Sequence, residues 1–337
     1  MTTAFITGIT GMVGSHLVDY LYVNTDWNIH GLIRWRSSLE NLSHHVVDIN
    51  SKNRFKLFYG DLRDSFSIEE AIKSSKPNYI FHLAAQSFPK TSFISPMDTL
   101  ETNINGTFSV LESAKKYVPE AIVHVCSSSE IFGRVQRHQL PISEDCTFHP
   151  ASPYAISKVG TDLAGRFYAE AYGSKILITR MFTHTGPRRG DVFAESSFAK
   201  QIALAESNYI EPIIKVGNLK SLRTIADVRD AVDAYYTLVT VNPIWGEYYN
   251  IGGNRTLTVG EILEYLISIS KLQKGIQLVE ELERLRPIDA DLQIPDISKF
   301  TQHTGWTPKY SFETTMQDLL EYWRSRVASY GNTFLRR

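Results

Sequence analysis

Tyr154 and Lys158 stand four residues apart in a segment with a helical pattern, so their side chains are expected on one helix face. A phenol is a weak base at neutral pH because its ordinary pKa is about 10. A nearby ammonium stabilises the phenolate and lowers that pKa. The tyrosine can then remove a proton from a hydroxyl while a hydride leaves the same carbon. The pair indicates oxidation of an alcohol, although this spacing is also common by chance.

A run of serines ends in a glutamate upstream of that pair, at Ser127–Glu130, directly after an apolar segment that predicts a buried strand. Open parallel sheets bind ligands at the carboxyl ends of their strands, which is where this run would lie. The Ser128 hydroxyl could then hydrogen-bond the oxygen that Tyr154 deprotonates. An ordinary polar turn would have the same composition, so the case rests on the tyrosine and the lysine.

Gly8, Gly11 and Gly14 follow the first predicted strand and lead into a helix. Such a turn lets the backbone approach a pyrophosphate closely, and the helix N-terminus then presents unpaired N–H groups to the phosphates. Three spaced glycines alone are a weak signal, but the strand before them and the helix after them strengthen it. We expect this turn, with Met12 and Val13 inside it, to bind a nicotinamide dinucleotide.

The end of the second predicted strand indicates which dinucleotide binds. NAD-binding proteins usually place a carboxylate there for the ribose 2′-hydroxyl, whereas a 2′-phosphate requires a cation. This chain has arginines at Arg34 and Arg36 and a hydroxyl at Ser37, with no carboxylate in the segment 34–38. The sequence therefore predicts NADP in preference to NAD, and the alternative is a solvated surface loop.

Two further strand ends supply candidate cofactor contacts. Asp61 and Leu62 follow the third strand and suit the edge of the adenine ring. Leu83, Ala84 and Ala85 follow the fourth and place small or apolar side chains beside the dinucleotide. Small residues at a strand end are usually only packing, so these five are expected by position.

The elements that must position these residues alternate along the first half of the chain. Short apolar runs predict strands at 4–7, 29–33, 55–59, 79–83, 122–126 and 176–181, and helical patterns lie between them, for example at 15–21, 67–72 and 99–116. This alternation predicts an α/β fold, a doubly wound parallel sheet of the Rossmann type, in a domain of residues 1–185 that carries the cofactor and the catalytic residues.

The alternation stops near Gly186–Gly190, where Pro, Gly and Arg cluster. Thr258 and Glu261 form the pattern of a capping box, and a last helix would bury Phe312, Met316, Leu319, Leu320 and Trp323 on one face. We expect residues 186–337 to form a smaller, mostly helical substrate domain, with some crossing of the chain between the two parts.

Composition excludes several classes of protein. The chain has 337 residues, 43% hydrophobic and 21% charged, with 35 basic residues against 36 acidic ones. That balance argues against a nucleic-acid binder. Its two cysteines, Cys126 and Cys146, are too few for a disulfide framework or a zinc site, and no metal site is expected. With no secretory signal pattern and no apolar run that could span a bilayer, we expect a cytoplasmic protein without membrane contact.

Several motifs in the same order resemble those of the extended short-chain dehydrogenase/reductase family, and within it the GDP-mannose 4,6-dehydratases and their close relatives. The likeness extends from about residue 3 to residue 325. It is carried by the glycine turn, the 34–38 segment, Leu83–Ser87, Ser128–Glu130, Ser152–Tyr154 with Lys158, and Gly186–Gly190.

This resemblance implies a redox-neutral dehydration of a nucleotide-linked sugar. Hydride would leave the sugar's C4 for bound NADP with Tyr154 as base, Glu130 would remove the C5 proton as water leaves C6, and the hydride would return to C6. The second base is the reason to assign Glu130, which could otherwise be an ordinary loop carboxylate.

The resemblance also implies where the substrate binds. A nucleotide diphosphate, expected to be GDP, would lie in the second half of the chain, and homodimers or homotetramers are expected. The residues expected to contact substrate are Gln86, Ser87, Ser129, Arg188, Lys215, Arg223, Arg286 and Asp289.

Departures from the dehydratase pattern leave alternatives open. Ser128 stands where those enzymes usually have threonine, Phe132 replaces a usual tyrosine, and Thr183 begins a segment that is usually Asn-His-Glu. A modified or longer sugar would fit such changes. The alternatives are a 4-keto-sugar reductase or a 4-epimerase of the same fold, and a non-catalytic dinucleotide sensor, which the complete Ser128, Tyr154 and Lys158 set disfavours.

Overall fold

The computed structural model describes residues 1–51, 53–272, 275–331 and 333. Its strands, in chain order, are β1 Thr3–Thr7, β2 Asn28–Ile33, β3 Phe55–Tyr59, β4 Tyr79–His82, β5 Ile122–Cys126, β6 Ile176–Met181, β7 His184–Thr185, β8 Ile213–Val216, β9 Leu222–Asp227, β10 Tyr248–Ile251, β11 Arg255–Thr258, β12 Gln277–Glu280 and β13 Leu292–Gln293. Its α-helices are α1 Met12–Asn24, α2 Val46–Ser51, α3 Ser65–Ser75, α4 Pro89–Ile94, α5 Pro96–Leu100, α6 Gly106–Tyr117, α7 Pro153–Tyr172, α8 Ala194–Glu206, α9 Val228–Thr240, α10 Val259–Ser268, α11 Ser298–Thr304 and α12 Phe312–Tyr330.

Seven parallel strands form the central sheet in the order β10-β6-β5-β4-β1-β2-β3. The order reverses direction between β1 and β4, and the carboxyl ends of all seven strands lie along one edge. Helices cover both faces, which explains why β1 and β6 are buried along their whole length. The doubly wound α/β fold predicted from the alternating pattern is confirmed, and the six predicted strands lie within one residue of the observed ones.

The first sheet also takes elements from the second half of the chain. Strand β10 pairs with β6, and helix α9 packs against α1. Their apolar side chains, such as Val232 and Tyr235 of α9, belong to the same buried cluster as Leu17 and Val18 of α1. The chain therefore crosses back into the dinucleotide-binding part after residue 227.

The remaining elements form a second, smaller core. Helices α8, α10 and α12 bury Phe198, Ile202, Leu263, Met316 and Trp323 together. Short sheets border this core, one of β11, β9, β13 and β7 and one of β12 and β8. The capping box predicted at Thr258 and Glu261 is confirmed at the start of α10. This part places β9 and the segment after β12 opposite the carboxyl edge of the large sheet.

One predicted helix is interrupted. The pattern at 99–116 indicated a single helix, but the chain forms α5, then a π-helical turn at Glu101–Asn105, then α6. A π turn holds one more residue than an α turn, and such turns are frequent at functional sites. Asn103, within this turn, is buried, and its side chain hydrogen-bonds Gln86 and Ser157.

Candidate active site

A cleft of about 1210 Å³ runs along the carboxyl edge of the large sheet and continues toward the smaller core. Most of the residues expected from the sequence line it. They are Gly8, Gly11, Met12, Val13, Gly14, Arg34, Ser37, Asp61, Leu62, Leu83, Ala84, Ala85, Gln86, Ser87, Ser128, Ser129, Glu130, Tyr154, Lys158, Arg188, Arg223, Arg286 and Asp289. Arg36 and Lys215, although the structure describes both, are not among the lining residues.

The glycine turn fits a bound pyrophosphate. Gly8 has a φ of +72°, and a Cβ on Gly14 would lie only 2.2 Å from the carbonyl oxygen of Gly8. Because neither position can carry a side chain without strain, the backbone stays bare at the start of α1. That helix begins at Met12 directly after its N-cap Gly11, so its first N–H groups face the cleft.

The loop after β2 forms a tight turn. The backbone N–H of Arg34 donates to Ser37 Oγ at 3.2 Å, and the N–H of Ser37 donates to the carbonyl of Arg34 at 2.9 Å. Arg34 and Ser37 face the cleft, while the exposed Arg36 does not line it. Asn41, which the sequence analysis missed, also lines the cleft and donates to Thr10 O at 2.9 Å, so it ties this loop to the glycine turn.

Asp61 lies at the same end of the cleft in an ion pair. Its Oδ1 accepts from Arg63 Nε at 3.2 Å, and Arg63 in turn contacts Asp98 at 3.0 Å. Hydrogen bonding from Arg63 holds the pKa of Asp61 below its usual range. The backbone N–H groups of Leu83 and Ala84 both donate to Thr7 Oγ1 at 3.1 Å, which fixes the end of β4 beside the turn.

Tyr154 and Lys158 lie in the first turns of α7. Ser152 caps this helix by accepting from the Ala155 N–H, and Pro153 occupies its first turn. Both side chains are buried, and Lys158 Nζ donates to the Cys126 carbonyl at 2.5 Å. Burial raises the pKa of Tyr154 above its ordinary value, whereas a hydrogen bond with Ser128 opposes that rise. Burial lowers the pKa of Lys158.

A buried ion pair anchors α7 to the sheet. Arg180 on β6 donates to both carboxylate oxygens of Asp162 at 2.9 and 3.0 Å and to Glu144 O at 2.7 Å. Arg180 and Asp162 are almost completely buried, and a pair with this geometry has little freedom to move. Together with the bond from Ser127 Oγ to Lys158 O at 3.4 Å, it fixes Tyr154 relative to the serine run.

Arg189 and Glu195 line the cleft although the sequence analysis did not assign them. Arg189 is half-buried, with 15% of its side chain exposed; it pairs with Glu195 at 3.3 Å and lies 3.4 Å from the ring centroid of Phe193. Desolvation lowers the pKa of Arg189, and its positive charge favours the phenolate of Tyr154. The motif around Gly186–Gly190 was recognised as a whole, and the fold shows that both of its arginines line the cleft.

Asn103 was also missed. Its Oδ1 accepts from the Gln86 N–H at 2.8 Å, and its Nδ2 donates to Gln86 O at 3.0 Å and to Ser157 Oγ at 2.8 Å. One buried amide thus links the loop after β4 to α7, between Tyr154 and Lys158. An asparagine inside a helical pattern carries no sequence signal for such a link.

Two histidines near the site, His82 and His124, are buried, and His184 is half-buried. Burial lowers the pKa of His82 and His124 to about 3, and that of His184 to about 4. His82 contacts Thr7 Oγ1 and Thr107 Oγ1 at 2.9 and 3.1 Å. His184 lines the cleft near Arg189, which further lowers its pKa.

The far end of the cleft carries paired charges. Arg223 on β9 donates to the carbonyls of Leu222 and Ala290 at 2.9 and 2.7 Å, and its Nη2 lies 3.5 Å from Asp289 Oδ1. Arg286 Nη1 lies 3.6 Å from the same oxygen and 3.5 Å from Glu130 Oε1. Two guanidinium groups and two carboxylates therefore meet where the cleft reaches the smaller core.

Two other expected cations have partners elsewhere. Lys215 on β8 pairs with Glu281 at 2.8 Å. Arg188 lines the cleft and pairs with Asp19 Oδ2 at 2.8 Å. Asp19 Oδ1 lies 2.6 and 2.8 Å from the Nε2 atoms of His44 and His45, the one cluster of potential metal ligands found among the described residues.

In the described part of the chain, no helix is long and apolar enough to cross a bilayer.

Comparison with known proteins gives matches along almost the whole chain. The family model for GDP-mannose 4,6 dehydratase matches residues 5–319. GDP-mannose 4,6 dehydratase 2 from Caenorhabditis elegans is 30% identical over 94% of this chain and 87% of its own length. GDP-6-deoxy-D-mannose reductase from Pseudomonas aeruginosa is 28% identical over 96% of this chain and 97% of its own length. The solved structure of RMD from Pseudomonas aeruginosa complexed with NADPH has a TM-score of 0.81 at 26% identity, covering 97% of this chain and 100% of that one.

Proposed function

The chain belongs to the GDP-mannose 4,6-dehydratase family, an extended branch of the short-chain dehydrogenases/reductases, and we propose that it is a nucleotide-sugar 4,6-dehydratase acting on a GDP-linked sugar. The observation that carries this proposal is the meeting of two bases in one cleft: Tyr154 on α7 and Glu130 after β5. Simple oxidation of an alcohol needs one base, whereas dehydration needs a second for the elimination.

The residues have separate roles in the proposed reaction. Tyr154 takes the proton of the C4 hydroxyl, with Ser128 hydrogen-bonded beside it and Lys158 and Arg189 supplying positive charge. A nicotinamide bound beside them supplies the redox step, by accepting hydride from C4 and later returning it to C6. Glu130 removes the C5 proton, which the 4-ketone has acidified, and that proton leaves with the C6 hydroxyl as water. The proton taken at Tyr154 balances the one that C5 regains, so the net change is loss of one water and formation of a 4-keto-6-deoxy sugar.

We propose that the cofactor is NADP. The glycine turn would hold the pyrophosphate, and Arg34 with Ser37 would hold the 2′-phosphate, since both line the cleft at the end of β2. A guanidinium and a hydroxyl are suitable partners for a phosphate. The related RMD structure is a complex with NADPH, which agrees with this choice. Asp61, Leu62, Leu83, Ala84 and Ala85 would border the adenosine and the dinucleotide.

The substrate's diphosphate is proposed to bind at Arg223 and Arg286. These two cations line the far end of the cleft, on the side where Glu130 and Ser129 face the expected sugar. Asp289 is within ion-pair distance of both and would hold a ribose hydroxyl as well as orient them. Lys215 lies outside the cleft lining and pairs with Glu281, so the proposed diphosphate site does not include it.

A second candidate is a 4-keto-sugar reductase of the same fold. It is favoured by the similarity to GDP-6-deoxy-D-mannose reductase, which matches nearly the full length of both chains. A reductase would use Tyr154 as an acid and would consume reduced cofactor, with no need for Glu130 as a base. The two activities differ in whether the cofactor is regenerated within one turnover.

We also propose a homo-oligomer, a dimer or a tetramer. Helix α7 exposes Ile156, Leu163 and Phe167, which are 50%, 47% and 49% accessible and fall on one helical face, and Phe108 of α6 is 40% accessible. An exposed apolar stripe on a monomer is typical of a protein interface. Light scattering should show dissociation in Phe167→Glu, whereas an unchanged mass would contradict this surface.

A cytoplasmic location is proposed with this function. Cys126 and Cys146 are both free thiols, and reduced cysteines are typical of proteins in reducing compartments.

The activity is tested by incubating the purified protein with GDP-mannose and no added cofactor, then weighing the product. A product lighter by one water, without net consumption of NADPH, is expected. Tyr154→Phe should lower turnover by at least about a thousandfold, and Glu130→Gln should block release of water while leaving the first oxidation. A strict requirement for added NADPH and a 4-keto substrate would establish the reductase instead.

A further inference from the structure

The proposed base and the proposed diphosphate site share one side chain. Arg286 Nη1 is within ion-pair distance of Glu130 Oε1, at 3.5 Å, and of Asp289 Oδ1, at 3.6 Å. Glu130 follows β5 of the large sheet, whereas Arg286 lies after β12 in the smaller part. A single guanidinium therefore pairs with the proposed base, Glu130, and with Asp289 of the proposed diphosphate site.

These contacts are looser than the structural ion pair of the fold. Arg180 and Asp162 make two hydrogen bonds of 2.9 and 3.0 Å with almost no exposure. Arg286 has no contact that short with Glu130, and both side chains keep some accessibility, 26% and 17%. A loose, partly solvated contact can exchange partners at low free-energy cost, because neither group is left unpaired in an apolar core.

The local charge also favours an exchange. Arg223, Arg286, Glu130 and Asp289 sum to zero charge. A bound diphosphate adds about two negative charges, and its oxygens can accept bidentate hydrogen bonds from a guanidinium, which makes it a better partner than a carboxylate at 3.5 Å. The carboxylate with the looser attachment to the arginines is then displaced. Among the contacts of the described residues, Glu130 forms an ion pair with Arg286 alone and interacts with Arg223 only through their charges, whereas Asp289 pairs with both arginines.

We propose that the substrate's diphosphate takes Arg286 from Glu130 and in doing so frees Glu130 to act as the base of the elimination. The proposal rests on the function assigned above to Glu130. While Arg286 contacts Glu130 Oε1, that oxygen has an acceptor position occupied by the guanidinium and is less available to the C5 proton. Glu130 is thus available as the second base only when the substrate's diphosphate is bound to Arg286.

The exchange predicts the direction in which replacement of Glu130 changes the affinity for GDP. If the diphosphate must displace Glu130, then removing the charge of Glu130 must tighten nucleotide binding, since coupling between two sites is reciprocal. Glu130→Gln should therefore bind GDP more tightly than the wild-type protein by about 5-fold. Most variants at a binding site weaken binding, so a gain in affinity is a distinctive result.

The experiment is a double-mutant cycle on the NADP-loaded full chain, with GDP as probe and displacement calorimetry as readout. The four proteins are the wild type, Glu130→Gln, Arg286→Gln and the double variant. The gain from Glu130→Gln should disappear, to within about 2-fold, when Arg286 is also replaced. A gain that persists without Arg286 would show direct repulsion between Glu130 and the phosphates and would overturn the proposal, as would the absence of any gain.

Glu283→Gln is the matched control. Glu283 belongs to the same segment as Arg286 and lines the cleft, yet among the contacts of the described residues it has no ion pair with Arg286. Its replacement removes the same charge and should change GDP affinity by less than about 2-fold. An equal gain there would assign the effect to general charge and contradict the exchange.

This outcome is separable from that of the activity assay. If GDP-mannose is dehydrated but the cycle shows no coupling, the function stands and the exchange fails. If the cycle shows coupling but no water is lost from any nucleotide sugar, the exchange stands and the role of Glu130 as eliminating base fails.

Discussion

The two ends of the cleft differ in the kinds of residues that line them. The cofactor end consists of backbone and small side chains, with glycines at 8, 11 and 14 and alanines at 84 and 85. The substrate end consists of charged side chains that pair with one another, above all Arg223, Arg286 and Asp289. One end is fixed by steric exclusion, because no side chain fits, and the other by ion pairs that can exchange partners.

The difference teaches how each end can recognise its ligand. Backbone N–H groups at a helix start cannot rearrange, so they suit a cofactor that stays bound through many turnovers. Paired arginines must release a carboxylate before they accept a phosphate, so they suit a ligand that enters and leaves in each cycle. The following predictions test this contrast, beginning with the largest expected effect.

Gly14→Ala should disrupt dinucleotide binding at the cofactor end. Its Cβ would lie 2.2 Å from Gly8 O and 2.8 Å from Ile9 Cα, both backbone atoms, so the turn must open. We expect NADP affinity to fall by at least about 100-fold in equilibrium binding. Gly11→Ala is the control, since its Cβ would meet only Gly8 O at 3.2 Å. Equal affinities in the two variants would refute steric exclusion as the basis of this end.

Arg223→Met should damage the substrate end while sparing the cofactor end. Loss of a cation proposed to face the substrate's diphosphate should cost about 1.5–3 kcal/mol, or about 10- to 150-fold in KM for the nucleotide sugar. NADP affinity should change by less than about 2-fold. Arg223→Lys, which keeps the charge, should recover part of the KM. A parallel loss of NADP binding would show that the two ends are not independent.

Arg34→Ala tests the cation proposed to hold the 2′-phosphate at the cofactor end. Removing its guanidinium should weaken NADP binding by about 10-fold and leave NAD affinity almost unchanged, because only NADP has the 2′-phosphate. Arg36→Ala serves as its control, since Arg36 is exposed and does not line the cleft. If Arg36→Ala has the larger effect, the phosphate lies on the other side of the loop.

The helix that follows the glycine turn should also contribute to the pH dependence of stability. Burial lowers the pKa of His16, in α1, from 6.5 to about 4, and Arg188 contributes to the shift. Between these values the unfolded chain binds a proton that the folded chain does not, so the free energy of unfolding falls as the pH drops below about 6.5. His16→Gln should flatten the dependence of Tm on pH between 7 and 5 by a few degrees. An unchanged slope would show that His16 does not titrate in this way.

Much of the cofactor end could be predicted from sequence because steric exclusion leaves a local pattern. Glycine spacing and the strand before it are read within a dozen residues of each other. Tyr154 and Lys158 are likewise close in sequence, and the Ser152 cap places them at a helix start. The fold of the first half followed from the same kind of local evidence, with the six predicted strands within one residue of the observed ones, whereas β7 to β13 were not predicted.

The rest depends on contacts between distant segments. Asn103, in the π turn, hydrogen-bonds Gln86 and Ser157, which are 17 and 54 residues away in the chain, and Arg189 contacts Glu195 and Phe193. The contact of Glu130 with Arg286 joins residues far apart in the chain. No short sequence pattern encodes such pairs. The sequence therefore predicted which residues lie at this end, but not which of them contact each other.

The return of α9 and β10 to the first sheet bears on how the protein is made. Helix α1, which carries the glycine turn, packs against α9, and β10 covers the edge of β6. A nascent chain that has emerged only as far as residue 185 would leave both surfaces bare. The packing of α9 and β10 therefore predicts that the dinucleotide site assembles fully only after residue 251 has left the ribosome. A chain paused earlier would expose an open strand edge, which is a natural place for a chaperone to act.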